Sequence, residues 1–121
     1  MLRNGGELDG VRLLGPRTVT YMTQNHLPDG ADLTGVARGS FSETAYEGIG
    51  FGLGFASRID SVKNGNIGST GEYNWGGMAS TAFWIDPVED LVGIFMTQLM
   101  PSGTFNFRGQ LHSIIYSALT D

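Results

Sequence analysis

Cysteine is absent from the 121 residues, which excludes disulfides, zinc–thiolate sites and a thiol nucleophile together and makes the fold indifferent to redox compartment. Positive charge is scarce as well. Seven Lys and Arg residues, of which only Lys63 is lysine, face twelve acids for a net charge of -5, so no basic stripe can neutralise a run of phosphates and nucleic acid is not an expected partner. No stretch reaches the roughly 20 apolar residues of a membrane span. Met1-Leu2-Arg3-Asn4-Gly5-Gly6 lacks the apolar run of a signal peptide. The segment therefore reads as soluble with no membrane partner, and its compartment is left open with the cytoplasm favoured. Histidine occurs twice, at His26 and His112, with no carboxylate or cysteine at ligand spacing. Both are expected on a surface or a helix face, and neither a metal nor a cofactor is expected. What is plentiful is glycine, 19 residues interleaved with aromatics in a chain that is 40% hydrophobic. That composition describes one globular unit at most, with close backbone contacts rather than a disordered tail.

Along the chain, Asp9-Gly10 between two short runs predicts a hairpin over residues 7–14, because Asp-Gly tolerates the positive φ of a two-residue turn. Pro16 as a first-turn residue, with Val19, Tyr21 and Met22 behind it, predicts a helix over residues 16–25 that Pro28 prevents from continuing. From His26 to Glu47 neither period is sustained, and a long surface loop is expected. Residues 48–55 alternate Gly with Ile, Phe, Leu and Phe, predicting one strand with a bare face against which something packs flush. The same glycines lack the G-x-G-x-x-G spacing, so no dinucleotide site is expected.

Turn residues at 64–65 and 68–71 then lead into a strand over 75–85. A second turn, Asp86-Pro87-Val88-Glu89-Asp90, leads into a strand over 91–96, giving a three-stranded antiparallel meander. Phe107, Leu111, Ile114, Ile115 and Ala118 recur at helical spacing and predict an amphipathic helix ending near Leu119. Trp84, Phe83 and Phe95 are expected in the core, and Asp86 and Asp90 are expected to be turn residues. The strands over 78–85 and 91–96 are apolar on both faces, the mark of a sheet covered on both sides. One helix covers one side. Since burying a Phe, Leu or Ile is worth roughly 1.5–3 kcal/mol, the second face calls for further polypeptide or for self-association.

Three stretches resemble one family. Residues 4–19, residues 50–55, and residues 71–87 with the strand behind them are similar to the latter part of β-lactamase-related, penicillin-binding-protein-like serine hydrolases. Trp75-Gly76-Gly77 resembles the third active-site motif in the Trp-Gly-Gly form of family VIII carboxylesterases, where other branches carry Lys-Thr-Gly. The resemblance implies an α+β fold, an antiparallel sheet with flanking helices, that forms part of a β-lactamase/transpeptidase-like domain. Residues 1–121 would be its C-terminal part.

It also implies roles. The backbone N–H of Met78 would donate into the oxyanion hole, and Trp75, Gly76 and Gly77 would form the substrate-binding strand. Gly76 and Gly77 would be small to let substrate approach the backbone. Tyr73 either borders the pocket or is structural. With Trp75 in place of a lysine, a neutral ester or amide suits the site better than a charged β-lactam.

Absences complete the sequence-based picture. No serine has lysine three places on, Ser61 coming nearest with Lys63 two places on, and Tyr73 is followed directly by Asn74, so no Tyr-x-Asn exists. The family nucleophile is therefore not encoded here, and no catalysis is expected from the chain alone. Two other readings stand beside this one: a β-lactamase or penicillin-binding segment, and a non-catalytic module that docks through an uncovered sheet face.

Overall fold

The computed structural model describes residues 1–36 and 46–120; the loop expected over 26–47 thus lies partly outside the described residues. The chain opens with a two-stranded hairpin, β1 (Glu7–Leu8) and β2 (Val11–Arg12), whose turn places Asp9 at φ 51 and Gly10 at φ 78. Those paired positive angles are the ones the Asp-Gly dipeptide supplies. The first helix, α1 (Pro16–Thr23), starts on its proline as expected but stops two residues short of the predicted end. Two 3-10 turns follow, Pro28–Gly30 and Leu33–Gly35. Asp32 then fastens this stretch to the main sheet. Its carboxylate accepts from Gly48 N (3.1 Å) and Lys63 Nζ (2.5 Å).

The main sheet has five antiparallel strands in sequence order: β3 (Ile49–Phe51), β4 (Ala56–Arg58), β5 (Tyr73–Gly76), β6 (Ala82–Asp86) and β7 (Leu91–Phe95). The meander is thus larger than the predicted three strands: the run over 48–55 holds one strand and the turn that leads back into β4, and the run over 75–85 holds parts of two strands. The glycine-alternating run turns a corner after Phe51: Gly52 N–H donates to the Phe55 carbonyl at 2.7 Å and Gly54 takes φ 100. A period of two persists through a turn of even length, so alternation alone cannot reveal the corner. The bare face does what its pattern predicts. A Cβ on Gly50 would lie 2.3 Å from Asn25 and one on Gly52 2.2 Å from the Met22 carbonyl, so the segment after α1 packs flush on β3. The predicted strand over 75–85 likewise breaks at residues 77–81, which form the turn between β5 and β6. Between β4 and β5 sits a one-turn helix, α2 (Ser61–Asn64), capped by the Asp60 carboxylate and stopped by Gly65 at φ 74.

The last helix, α3 (Phe107–Ser117), begins on Asn106, whose Oδ1 accepts from Gly109 N. It lies on the face bearing Trp84: His112 stacks 4.6 Å from that indole, and Phe107 lies 5.4 Å from Phe95. Trp84 fills the space over Gly93, its cross-strand partner, where a Cβ would meet the indole at 2.2 Å. On the opposite face the sheet closes unevenly. Tyr73 and Ile85 are 3% and 7% exposed, whereas Val92 and Ile94 on β7 are 42% and 70% exposed. The uncovered face anticipated from the two-sided apolar pattern is therefore confined to the β7 margin.

Candidate active-site strand

The Trp-Gly-Gly motif sits where β5 ends. Trp75 and Gly76 are its last two residues, while Gly77 and Met78 enter the turn to β6. Trp75 is half-buried and meets Phe51 edge-on at 5.1 Å, which fixes the indole over the β3 end of the sheet. Tyr73 is buried with its ring 5.5 Å from Phe55, and burial pushes its phenol up from the ordinary value. Of its two sequence-based options, that environment fits the structural one.

The turn itself is tightly tied. Gly77 N–H donates to the Thr81 carbonyl (3.0 Å) and Ser80 N–H donates back to the Gly77 carbonyl (3.1 Å). Ser80 takes φ 64 and its hydroxyl donates to the Leu99 carbonyl at 2.8 Å, anchoring the turn to the chain beyond β7. Met78 projects outward with 69% exposure, and its backbone N–H donates to no acceptor among the described residues. A backbone donor left open on a rigid turn can stabilise a nearby anion without reorganising.

Arg108, which the sequence reading did not single out, holds the turn from behind. Its Nη2 donates to the Thr81 carbonyl (3.2 Å) and to the Gly77 carbonyl (3.4 Å). The fit is close: a Cβ on Gly76 would fall 2.2 Å from that nitrogen, and one on Gly77 would fall 2.5 Å from Thr81 Oγ1. The smallness of both motif glycines therefore has a cause within the chain itself. Arg108 lies in the first turn of α3, where the helix dipole opposes a cation by about 0.3–1 kcal/mol. A lone arginine at that position, in a helix otherwise without charge, was the available sequence signal.

Beneath the strand lies a buried polar network. Glu72, adjoining β5, and Asp86, ending β6, are both 0% exposed, and Arg58 is 3% exposed. Arg58 Nη2 donates to both Glu72 oxygens (3.3 and 3.5 Å), while its Nη1 donates to Asn64 Oδ1 (2.9 Å) and the Asn66 carbonyl (2.8 Å). Tyr116 hydroxyl donates to Asp86 at 2.7 Å and lies 3.2 Å from Glu72. Asp86 also accepts from the N–H groups of Ser69, Val88 and Glu89. Burial pushes the Asp86 carboxyl up, but the donors from Tyr116, Ser69 and Glu89 outweigh it, and the net shift is down. Burial, then the facing carboxylates, drive the Tyr116 phenol far above its ordinary value. Asp86 is thus the turn residue expected from sequence and a buried anchor besides. His112 keeps to a helix face, one that faces the sheet, whereas His26 is exposed beside Tyr21. A cleft of about 730 Å³ opens beside the motif, bordered by Trp75, Met78, Phe105 and Arg108.

No family profile matches the chain. Protein Rv1367c of Mycobacterium tuberculosis strain H37Rv and uncharacterized protein MT1414 of strain CDC 1551 are each 32% identical over 105 residues, covering 84% of this chain and 25% of theirs. The chain thus spans about a quarter of the length of these curated relatives. Among solved structures it is similar to EstCE1, a hydrolase with promiscuous acyltransferase activity, with TM-score 0.72 and 26% identity over 95% of this chain and 26% of that one. It also matches unliganded simvastatin synthase LovD from Aspergillus terreus, with TM-score 0.72 and 23% identity over 96% of this chain and 32% of that one. The five-stranded sheet and its helices are accordingly a part of the β-lactamase-like fold that these hydrolase and acyltransferase neighbours share.

Proposed function

We propose that this chain furnishes the ester-binding strand and one oxyanion donor of a serine-type acyl hydrolase of the family VIII carboxylesterase kind, as the C-terminal part of its catalytic domain. The observation that carries the reading is the open Met78 N–H on the rigid turn directly after Trp75-Gly76-Gly77. In the proposed reaction a serine supplied by polypeptide outside this chain loses its proton to a neighbouring base, and its oxygen bonds to the ester carbonyl carbon. The carbonyl electrons move onto oxygen, and that oxyanion accepts from Met78 N–H and from the serine's own N–H. Collapse breaks the carbon–alkoxide bond, and the alkoxide leaves with the proton held by the base. Water, or an acceptor alcohol, then repeats the sequence on the acyl-serine. Trp75 presents an apolar wall where a lysine would present a cation, and Arg108, which also borders the cleft, spends Nη2 on the Gly77 and Thr81 carbonyls, which favours a neutral ester over a carboxylate-bearing β-lactam. Cephalosporin turnover by the complete polypeptide would reverse that preference.

The test replaces the donor. In the complete polypeptide, Met78→Pro removes the N–H at a turn position where proline is well tolerated. It is expected to lower kcat on a short-chain aryl ester by roughly 10²–10³-fold. Unchanged turnover would rule out the donor role. The present chain by itself is expected to take no label from a serine-directed phosphonate. A second reading, a module that docks a partner or a second copy, is favoured by the exposure of Val92, Ile94 and Met96 along β7. Sedimentation of the isolated chain as a well-packed monomer counts against that docking.

A further inference from the structure

We infer that Arg108 is a positioning residue for acyl transfer: by gripping the Gly77 carbonyl it aims the Met78 N–H. The inference rests on Met78 acting as the oxyanion donor and goes beyond it by naming what fixes that donor's direction. Gly77 C=O and Met78 N–H belong to one planar trans amide, so they point in opposite directions and turn only together. Whatever holds the carbonyl oxygen therefore sets the line along which the hydrogen points.

Two groups hold that oxygen. Ser80 N–H reaches it from within the turn (3.1 Å) and Arg108 Nη2 reaches it from the α3 side (3.4 Å). The same Nη2 bonds the Thr81 carbonyl (3.2 Å), so the guanidinium bridges the two ends of the turn. With the carbonyl drawn toward Arg108, the Met78 N–H points the opposite way, and, like the Ala79 N–H beside it, it has no acceptor among the described residues. The space the guanidinium occupies is kept by the sequence, since any side chain at Gly76 would collide with it. A cationic donor on the carbonyl also polarises the amide and makes its N–H a stronger donor. Oxyanion stabilisation depends on a donor already directed at the charge that forms. A turn free to rock about its peptide would lose part of that advantage while binding the neutral ester as before.

The experiment compares Arg108→Ala, Arg108→Lys and Met78→Pro in the complete polypeptide with an aryl ester. It also measures inhibition by a trifluoromethyl ketone, whose serine hemiketal places an oxyanion in the same site. Arg108→Ala is expected to lower kcat roughly 10- to 100-fold with KM within about twofold, and to weaken the ketone by the same factor. Arg108→Lys is expected to recover most of both. If Arg108→Ala leaves kcat and ketone affinity unchanged while Met78→Pro abolishes turnover, the Arg108 inference falls and the donor reading stands. If Met78→Pro is fully active, both fall. Should Arg108→Ala not fold, Arg108→Met, which keeps the bulk and loses the donor, decides: a kcat loss of about 3-fold or more at native melting temperature supports the inference, and wild-type kcat overturns it.

Discussion

In the turn after β6 a buried carboxylate takes up two backbone amides, whereas in the turn before β6 an arginine grips two carbonyls and the Met78 N–H stays open. After β6, the Asp86 carboxylate accepts from Val88 and Glu89 N–H while its other oxygen takes Ser69 N–H and the Tyr116 hydroxyl. Before β6, no side chain of the turn supplies an acceptor to Met78 N–H, and the external contact, Arg108, bonds carbonyls only. Both turns join neighbouring strands of one meander, so their difference is not imposed by topology. It lies in which backbone groups each is built to satisfy. A turn closed on an internal carboxylate contributes stability, and a turn held through its carbonyls offers a donor.

Substitutions can break that contrast, beginning with the largest expected effect on folding. Asp86→Ala strands a buried phenol and backbone donors, each costing about 1–3 kcal/mol when left unpaired. It should lower stability of the complete polypeptide by about 3 kcal/mol or more in urea titration, and a loss under about 1 kcal/mol would show the anchor to be dispensable. Gly93→Ala pushes a methyl into the Trp84 indole; overpacking of this kind costs about 1–3 kcal/mol, read as a lower melting temperature with altered near-UV dichroism.

pH sharpens the comparison further. The Asp86 carboxyl lies below its ordinary 3.8, so its contribution is present above that value and fades as pH falls through the lower folded one. The Tyr116 phenol lies above its ordinary 10.0, so its contribution is full below pH 10 and fades as pH rises through the higher folded value. Melting temperature should therefore decline at both extremes, Asp86→Asn flattening the acid limb and Tyr116→Phe the alkaline one. Smallest of all on folding is Met78→Pro, expected to change stability by less than about 0.5 kcal/mol because the N–H it deletes bonds nothing. A large destabilisation there would reveal a structural task for that amide.

Features encoded locally were legible in the sequence. Asp9-Gly10 announced its turn, Pro16 the start of α1, and the spacing of Phe107, Leu111 and Ile115 announced α3. The motif strand came from resemblance, and the geometry adds what resemblance leaves out. The corner after Phe51 was hidden because turn and strand share one parity of side chains. The burial of Glu72 and Asp86 was not legible because only tertiary folding brings Arg58 and Tyr116 to them across separations of 14 and 30 residues. Arg108 was hidden for the same reason, lying 31 residues from the carbonyl it grips.

The two borders of the sheet are unlike. Along β3 the segment after α1 plugs the ladder: Asn25 Oδ1 accepts from Phe51 N–H, His26 N–H reaches the Phe51 carbonyl, and Leu53 N–H reaches Met22. Along β7 no strand is paired on the outer side among the described residues. Unprotected strand borders are templates for growth, and a ribbon needs two of them to lengthen without limit. With the β3 border stoppered, the β7 border is the one the described residues leave open to an added strand.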